Sequence, residues 1–246
     1  MNAMKTAMRT TAISLALACG LALFGCGTPS QTSSTADEAQ QQSPAESASA
    51  QNKNASPEEI LDEITADFEA TEKTIADSLA ATKTAAGNTY ESYKGNKDSV
   101  ANWYEATQKA TDDLFARTEE NSKRYFLALA EKGQAEDSRY LDDGMKAWYR
   151  TVYEDAFRGF YQEVYEDDFK ELYETYYDGA LKEAYGAVNY SELSDESSSF
   201  YRQYSDGMKN LYRSYSDAMS DNYRMYSDVS GEFYKKNYDL SNTLTD

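Results

Sequence analysis

From residue 57 onwards, large apolar side chains recur at helical spacing. Leu61, Ile64, Phe68, Thr71, Ile75 and Leu79 step by three and four, which predicts a helix over 57–86. Ser56-Pro57-Glu58-Glu59 supplies its start. Serine caps, proline suits the first helical position, and Glu59 sits where it can bond back to the Ser56 N–H. Gly87-Asn88 ends this helix. Tyr90, Tyr93, Val100, Tyr104, Thr107, Leu114 and Tyr125 then predict a second over 89–132. Gly95-Asn96 is a candidate kink, and Gly133 a candidate left-handed residue at the C-terminus. The three prolines are Pro29, Pro44 and Pro57, so none interrupts a helix after 57.

Beyond Glu136 the pattern becomes a repeat. Trp148-Tyr149-Arg-Thr-Val-Tyr153-Glu-Asp-Ala-Phe157 returns twelve residues later as Phe160-Tyr161-Gln-Glu-Val-Tyr165-Glu-Asp-Asp-Phe169. It returns again as Leu172-Tyr173-Glu-Thr-Tyr-Tyr177-Asp-Gly-Ala-Leu181. A second array has period eleven: Tyr201-Arg-Gln-Tyr204-Ser-Asp-Gly-Met208, Tyr212-Arg-Ser-Tyr215-Ser-Asp-Ala-Met219, then Tyr223-Arg-Met-Tyr226-Ser-Asp-Val. The two units align when one residue is dropped between their tyrosines, so both arrays read as expansions of one ancestral unit.

The two periods differ in geometry. At ~100° per residue, eleven residues make three turns plus about 20°, so Tyr201, Tyr204, Met208, Tyr212, Tyr215, Met219, Tyr223 and Tyr226 form a nearly straight seam. Twelve residues make three turns plus about 120°. A regular helix with that repeat winds its aromatic pairs around itself and touches neighbours on several sides. The other way to satisfy the repeat is a local irregularity in the helix. Gly144, Gly159 and Gly179 are candidate bends or close crossings.

The expected fold is an all-α, elongated, antiparallel bundle of about four long helices: 57–86, 89–132, 136–187 and 197–240. The serine-rich stretch 189–199 reads as the longest break and a possible hinge.

The N-terminal part has a different character. Residues 27–56 are rich in Ser, Ala, Gln and Thr and carry almost no large apolar side chain, which predicts a disordered tether. Its root-mean-square reach is about 30 Å as a flexible coil. Before it, Lys5 and Arg9 precede an apolar run from about Ala12 to Phe24, and Leu23-Phe24-Gly25-Cys26 closes the segment. That run is too short for the ~20 residues of a spanning helix. The order of basic start, apolar run, small residue and cysteine resembles a bacterial lipoprotein signal peptide with its lipobox.

The resemblance implies removal of 1–25 and lipidation of Cys26 by acyl chains such as palmitate. The protein is then membrane-anchored on the extracytoplasmic face of a bacterial cell. Two acyl chains hold stably where one is marginal. Cys19 leaves with the signal, so the domains become 1–25 signal, 26–56 lipidated cysteine and linker, and 57–246 helical repeat domain.

Charge and missing chemistry narrow the function. Formal charge is −19, and losing Lys5 and Arg9 with the signal makes it −21. A polyanion cannot neutralise phosphates, so nucleic acid is not an expected partner. There is no histidine, which removes the commonest general base and zinc ligand. No enzymatic activity, cofactor or metal is expected, although Asp167-Asp168 is a place for loose calcium binding. All 22 tyrosines lie at or after Tyr90. A tyrosine seam packs its rings while its hydroxyls must reach water or a partner. The leading expectation is a structural or interaction module whose partner is a protein or a cell-wall polymer; a homo-oligomer is a separate possibility. The alternative is a carrier holding an apolar or aromatic ligand in a tyrosine-lined groove.

Overall fold

The structure, a computed structural model, describes residues 55–135, 138–235, 240, 243 and 244. Cys26, the signal peptide and nearly all of the expected tether lie outside the described residues. Four helical rods make up the described chain. They are α1 (Pro57–Ala86), α2 (Tyr90–Ala135), a composite rod α3 over residues 138–181, and α4 (Tyr190–Tyr234).

α1 starts as its first residues dictate. Ser56 Oγ accepts from the Glu59 N–H (3.2 Å), and the Glu59 carboxylate accepts from the Ser56 N–H (2.8 Å). Ile60, Ile64, Phe68, Ile75 and Leu79 are buried along one face, each worth about 1.5–3 kcal/mol relative to exposure. Gly87 then turns the chain with φ +65°, a conformation that favours glycine, and its N–H bonds back to Lys83. α2 carries the expected kink, at Asn96 (φ −132°, ψ 20°).

Each hairpin is antiparallel, but the two hairpins meet through parallel neighbours. Phe68 meets Phe157 and Phe160, while Lys83, further along α1, pairs with Glu171. α1 and α3 therefore ascend together. Lys94 pairs with Glu192, Lys97 with Glu196 (2.9 Å), and Gln108 Nε2 donates to Ser214 Oγ (2.8 Å), so α2 and α4 also run together. The centre is aromatic where α2 crosses α3. Phe126 meets Trp148 (5.1 Å between centroids), Phe115 meets Phe157 (5.3 Å) and Trp103 meets Phe169 (5.1 Å). The Trp148 indole N–H, fully buried, donates to Ser122 Oγ (3.1 Å).

α3 resolves the twelve-residue repeat by local irregularity. It begins as α-helix (Ser138–Trp148) and then alternates wide and normal turns. Three π-helical segments, Tyr149–Ala156, Tyr161–Asp168 and Glu174–Leu181, are separated by α-helix at Phe157–Phe160 and Phe169–Tyr173. The Phe157 N–H bonds to the Val152 carbonyl and the Phe169 N–H to the Val164 carbonyl, both i→i+5. A widened turn absorbs one residue, so twelve residues advance the helix as eleven do in regular α-helix. The drift of about 120° per repeat expected for regular geometry is thus cancelled. Trp148, Phe160 and Leu172 stay in one buried column, and Val152, Val164 and Tyr176 stay in another.

The remaining differences from expectation have local causes. α4 begins at Tyr190, so 190–199 is helix and the break lies at 184–189. Asn189 caps it through Oδ1, which accepts from the Ser191 N–H (3.0 Å). The serines argue against helix, but buried Leu193 and Phe200 and the pairs to Lys94 and Lys97 hold this turn in the bundle. Gly133 is not a left-handed terminus. It is buried within α2, where an added Cβ would lie 2.1 Å from Leu141. Gly144 is a close crossing in the same sense, 2.3 Å from Leu129.

Candidate interaction surface

The tyrosines of the two arrays meet along the contact of α3 with α4. On α3, each repeat stacks its own pair at i,i+4, at or beside a widened segment. Tyr149 lies on Tyr153 (5.2 Å, 22°), Tyr161 on Tyr165 (4.6 Å, 20°) and Tyr173 on Tyr177 (4.8 Å, 21°). The widened turn brings residues four apart nearly into line, which a 3.6-residue turn does not.

α4 answers each pair with two tyrosines three residues apart. Tyr226 meets Tyr149 (5.3 Å) and Tyr223 meets Tyr153 (5.5 Å). Tyr215 meets Tyr161 (5.0 Å) and Tyr212 meets Tyr165 (5.9 Å). Tyr204 meets Tyr173 (4.7 Å) and Tyr201 meets Tyr177 (6.0 Å). The result is a ladder of three quartets. Steps of eleven α-helical residues place them about 16.5 Å apart. The registers stay matched because each α3 repeat gives one residue to its widened turn.

The seam named from sequence is therefore divided. Tyr204, Met208, Tyr215, Met219 and Tyr226 are half-buried against α3 and the core. Tyr201, Tyr212 and Tyr223 stand 52%, 50% and 47% exposed. The buried spine of α4 is the column one residue earlier, Phe200, Leu211, Asn222 and Phe233. Its eleven-residue spacing was present in the sequence, but Asn222 interrupts its apolar character and the tyrosines drew attention from it.

Desolvation raises several of the ladder's phenols. Burial first, and neighbouring tyrosines next, raise Tyr153, Tyr204 and Tyr215 above the ordinary phenol value. Burial also raises Tyr161 and Tyr173, to which Glu166 and Asp178 respectively add. The ladder presents ring faces, ring edges and hydroxyls.

Charge flanks the ladder in a fixed order. The residue after each outer α3 tyrosine is acidic: Glu154, Glu166 and Asp178. The residue after each α4 tyrosine facing it is arginine: Arg224, Arg213 and Arg202. All six side chains are exposed. The sequence suggested i,i+4 pairs from Arg202, Arg213 and Arg224 to Asp206, Asp217 and Asp228. Instead Arg224 pairs with Asp221 (2.5 Å). Among the described residues Arg202, Arg213, Glu154, Glu166 and Asp178 make no ion pair. With the cation on the N-terminal side, the i,i+4 order is the weaker one and yields little.

Other chemistry is sparse. No cluster of potential metal ligands occurs among the described residues. A hollow of about 380 Å³ at the α3–α4 turn is lined by Tyr177, Leu181, Tyr185, Tyr190 and Leu193, and it is open to the surface. No helix of the described chain is long and apolar enough to cross a membrane. No family model, curated protein or solved structure matches the chain.

Proposed function

We propose that this chain is a lipid-anchored interaction module of the bacterial cell surface, and that the tyrosine ladder is its working face. Cys26 is the site of lipidation, residues 1–25 are the signal, and the linker carries the bundle away from the bilayer. The module has no catalytic role. The observation that carries this reading is the periodic row of half-exposed Tyr201, Tyr212 and Tyr223. Aromatic residues that keep both apolar area and a hydroxyl outside are enriched where proteins meet partners. The alternative of a carrier draws on the hollow beside Tyr185 and Tyr190, but its open shape leaves a ligand in contact with solvent, where an enclosed site would bury most of it.

Two measurements test the reading in cells. Metabolic labelling with a palmitate analogue should mark the chain and fail to mark Cys26→Ala; label on both, or on neither, counts against the anchor. A photo-cross-linking amino acid at Tyr212 should give adducts, whereas the same group at exposed Glu69 of α1 should not. Equal yields at the two positions would remove the ladder from consideration as the working face.

A further inference from the structure

We infer that the ladder's partner is a second copy of this chain, packed face to face about a two-fold axis parallel to the rods. The inference rests on the reading of the ladder as the working face.

Three observations select this occupant. The first is repeat length. Quartets spaced about 16.5 Å apart are met in step by a surface with the same spacing, and the chain itself carries one. The second is area. The ladder spans Tyr201 to Tyr226, about 38 Å along α4. It is about 20 Å wide across two helices whose axes lie 8–10 Å apart. The product, about 760 Å² on each copy, is close to the ~800 Å² per partner of a stable interface.

The third is charge order, which also chooses the axis. At each outer tyrosine contact an acid stands on the α3 side and an arginine on the α4 side, at the same height. A two-fold along the rods lays α3 of one copy over α4 of the other and keeps the heights. Glu154 then faces the second copy's Arg224, Glu166 faces its Arg213, and Asp178 faces its Arg202, each twice by symmetry. A two-fold across the rods would lay α3 on α3 and set acid against acid. Arg158 and Lys170, which lie between the acids, fall near the heights of Asp217 and Asp206 and keep the alternation. The net charge, −21 once residues 1–25 with Lys5 and Arg9 are lost, opposes association. That repulsion is screened beyond about 8 Å at physiological ionic strength, whereas facing rims meet at closer range. The axis along the rods also brings both Ser56 ends to the same end of the dimer, as two anchors in one membrane require.

Residues 51–246 form a compact unit with its own core and carry no cysteine, so this piece is the one to measure. Sedimentation velocity should find wild type dimeric, with Kd in the micromolar range or below. The acid-row variant E154R/E166R/D178R and the arginine-row variant R202E/R213E/R224E should each be monomeric, because each sets like charges face to face. An equimolar mixture of the two should recover the dimer. All six positions are exposed, and circular dichroism should show unchanged helix. As a check independent of charge, Glu166→Cys in one copy should form a disulfide with Arg213→Cys in another. Two copies of Glu166→Cys should not cross-link.

A wild type that stays monomeric at about 100 μM would overturn the inference. So would a dimer that survives both charge variants, or one that joins Glu166→Cys to itself. If wild type is monomeric while Tyr212 still cross-links in cells to another molecule, the second copy is wrong and the working face stands.

Discussion

Deleting single residues from α3 tests whether its widened turns absorb one residue per repeat. Val164 sits at the widened turn of the middle repeat, with no exposed surface, and its carbonyl receives the i→i+5 bond. Val164→Ala should cost about 2 kcal/mol, from two methyl groups at ~0.8 kcal/mol each and a small cavity. Deleting Val164 outright should cost about the same, 2–3 kcal/mol. The remaining eleven residues can run as regular α-helix, as the unit does in α4, and Phe169, Leu172, Tyr176 and Leu181 keep their angle to the core.

Arg158 should behave oppositely. It is exposed and lies in the normal turn Phe157–Phe160, so Arg158→Ala should change stability by no more than about 0.5 kcal/mol. Its deletion can be absorbed by straightening a neighbouring widened segment, Tyr149–Ala156 before it or Tyr161–Asp168 after it. The first swings residues 153–157 by about 100° and takes Phe157 out of the core; the second swings the residues that follow the deletion and takes Phe160 out. Removing a buried Phe from its site costs about 3–5 kcal/mol. Urea unfolding with linear extrapolation would give all four values. Loss of the exposed residue should therefore destabilise more than loss of the buried one. If deleting Val164 costs as much as deleting Arg158, the helix does not use its widened turns in this way.

Asp168 occupies the place that Ala156 and Ala180 hold in neighbouring repeats, and burial, with Glu171, Glu163 and Asp167 nearby, pushes its carboxyl up to about 7. The folded chain then holds a proton that the unfolded chain has released between about pH 4 and 7, so stability falls as pH rises through that window. At ~1.36 kcal/mol per unit the ceiling is about 4 kcal/mol, and partial exposure to solvent reduces it to about 2. Asp168→Ala should be about 2 kcal/mol more stable than wild type at pH 8 and equal near pH 4; a constant difference across that range would refute the assignment. Gly144→Ala should destabilise by about 1–3 kcal/mol, because its methyl would lie 2.3 Å from the buried Leu129 side chain. Gly159→Ala should stabilise by about 0.5–1 kcal/mol, since the nearest atom is 3.9 Å away and the position is helical; thermal melts of both variants would read the two signs.

The helical class was legible because proline is absent after Pro57 and because Ser56, Glu59 and the 61–79 spacing agree with one another. That agreement fixed α1 to the residue. Composition misled at 190–199, where serines hide the contribution of Leu193, Phe200 and the two lysine pairs from α2. It misled at Gly133 too, where a glycine that permits close approach to Leu141 resembles one that ends a helix. The parallel contact of the two hairpins had no local signal, since it depends on which faces meet and not on where helices start. The ladder was half legible. The repeats named its tyrosines on both rods, but pairing Tyr153 with Tyr223 and Tyr165 with Tyr212 requires the register in space. The sequence also held the one-residue difference between the units without saying what that residue does.

That residue links the history of the two arrays to their packing. A quartet needs two tyrosines from α3 and two from α4, so neither array can gain or lose a unit alone without leaving rings unmatched. Three units face three units in the described chain, with rung contacts of 4.7–6.0 Å from end to end. Had the α3 unit stayed regular at twelve residues, its second quartet would lie about 120° away from α4 and the third further still. Had it lost the extra residue, α3 would lack Val152, Val164 and Tyr176, which bury fully toward the core. The widened turn meets both demands. It adds a core side chain to every repeat and returns the tyrosine pair to the same face. It also accounts for the difference in tyrosine spacing, four residues on α3 and three on α4, since four residues span the widened turn and three lie along a normal one.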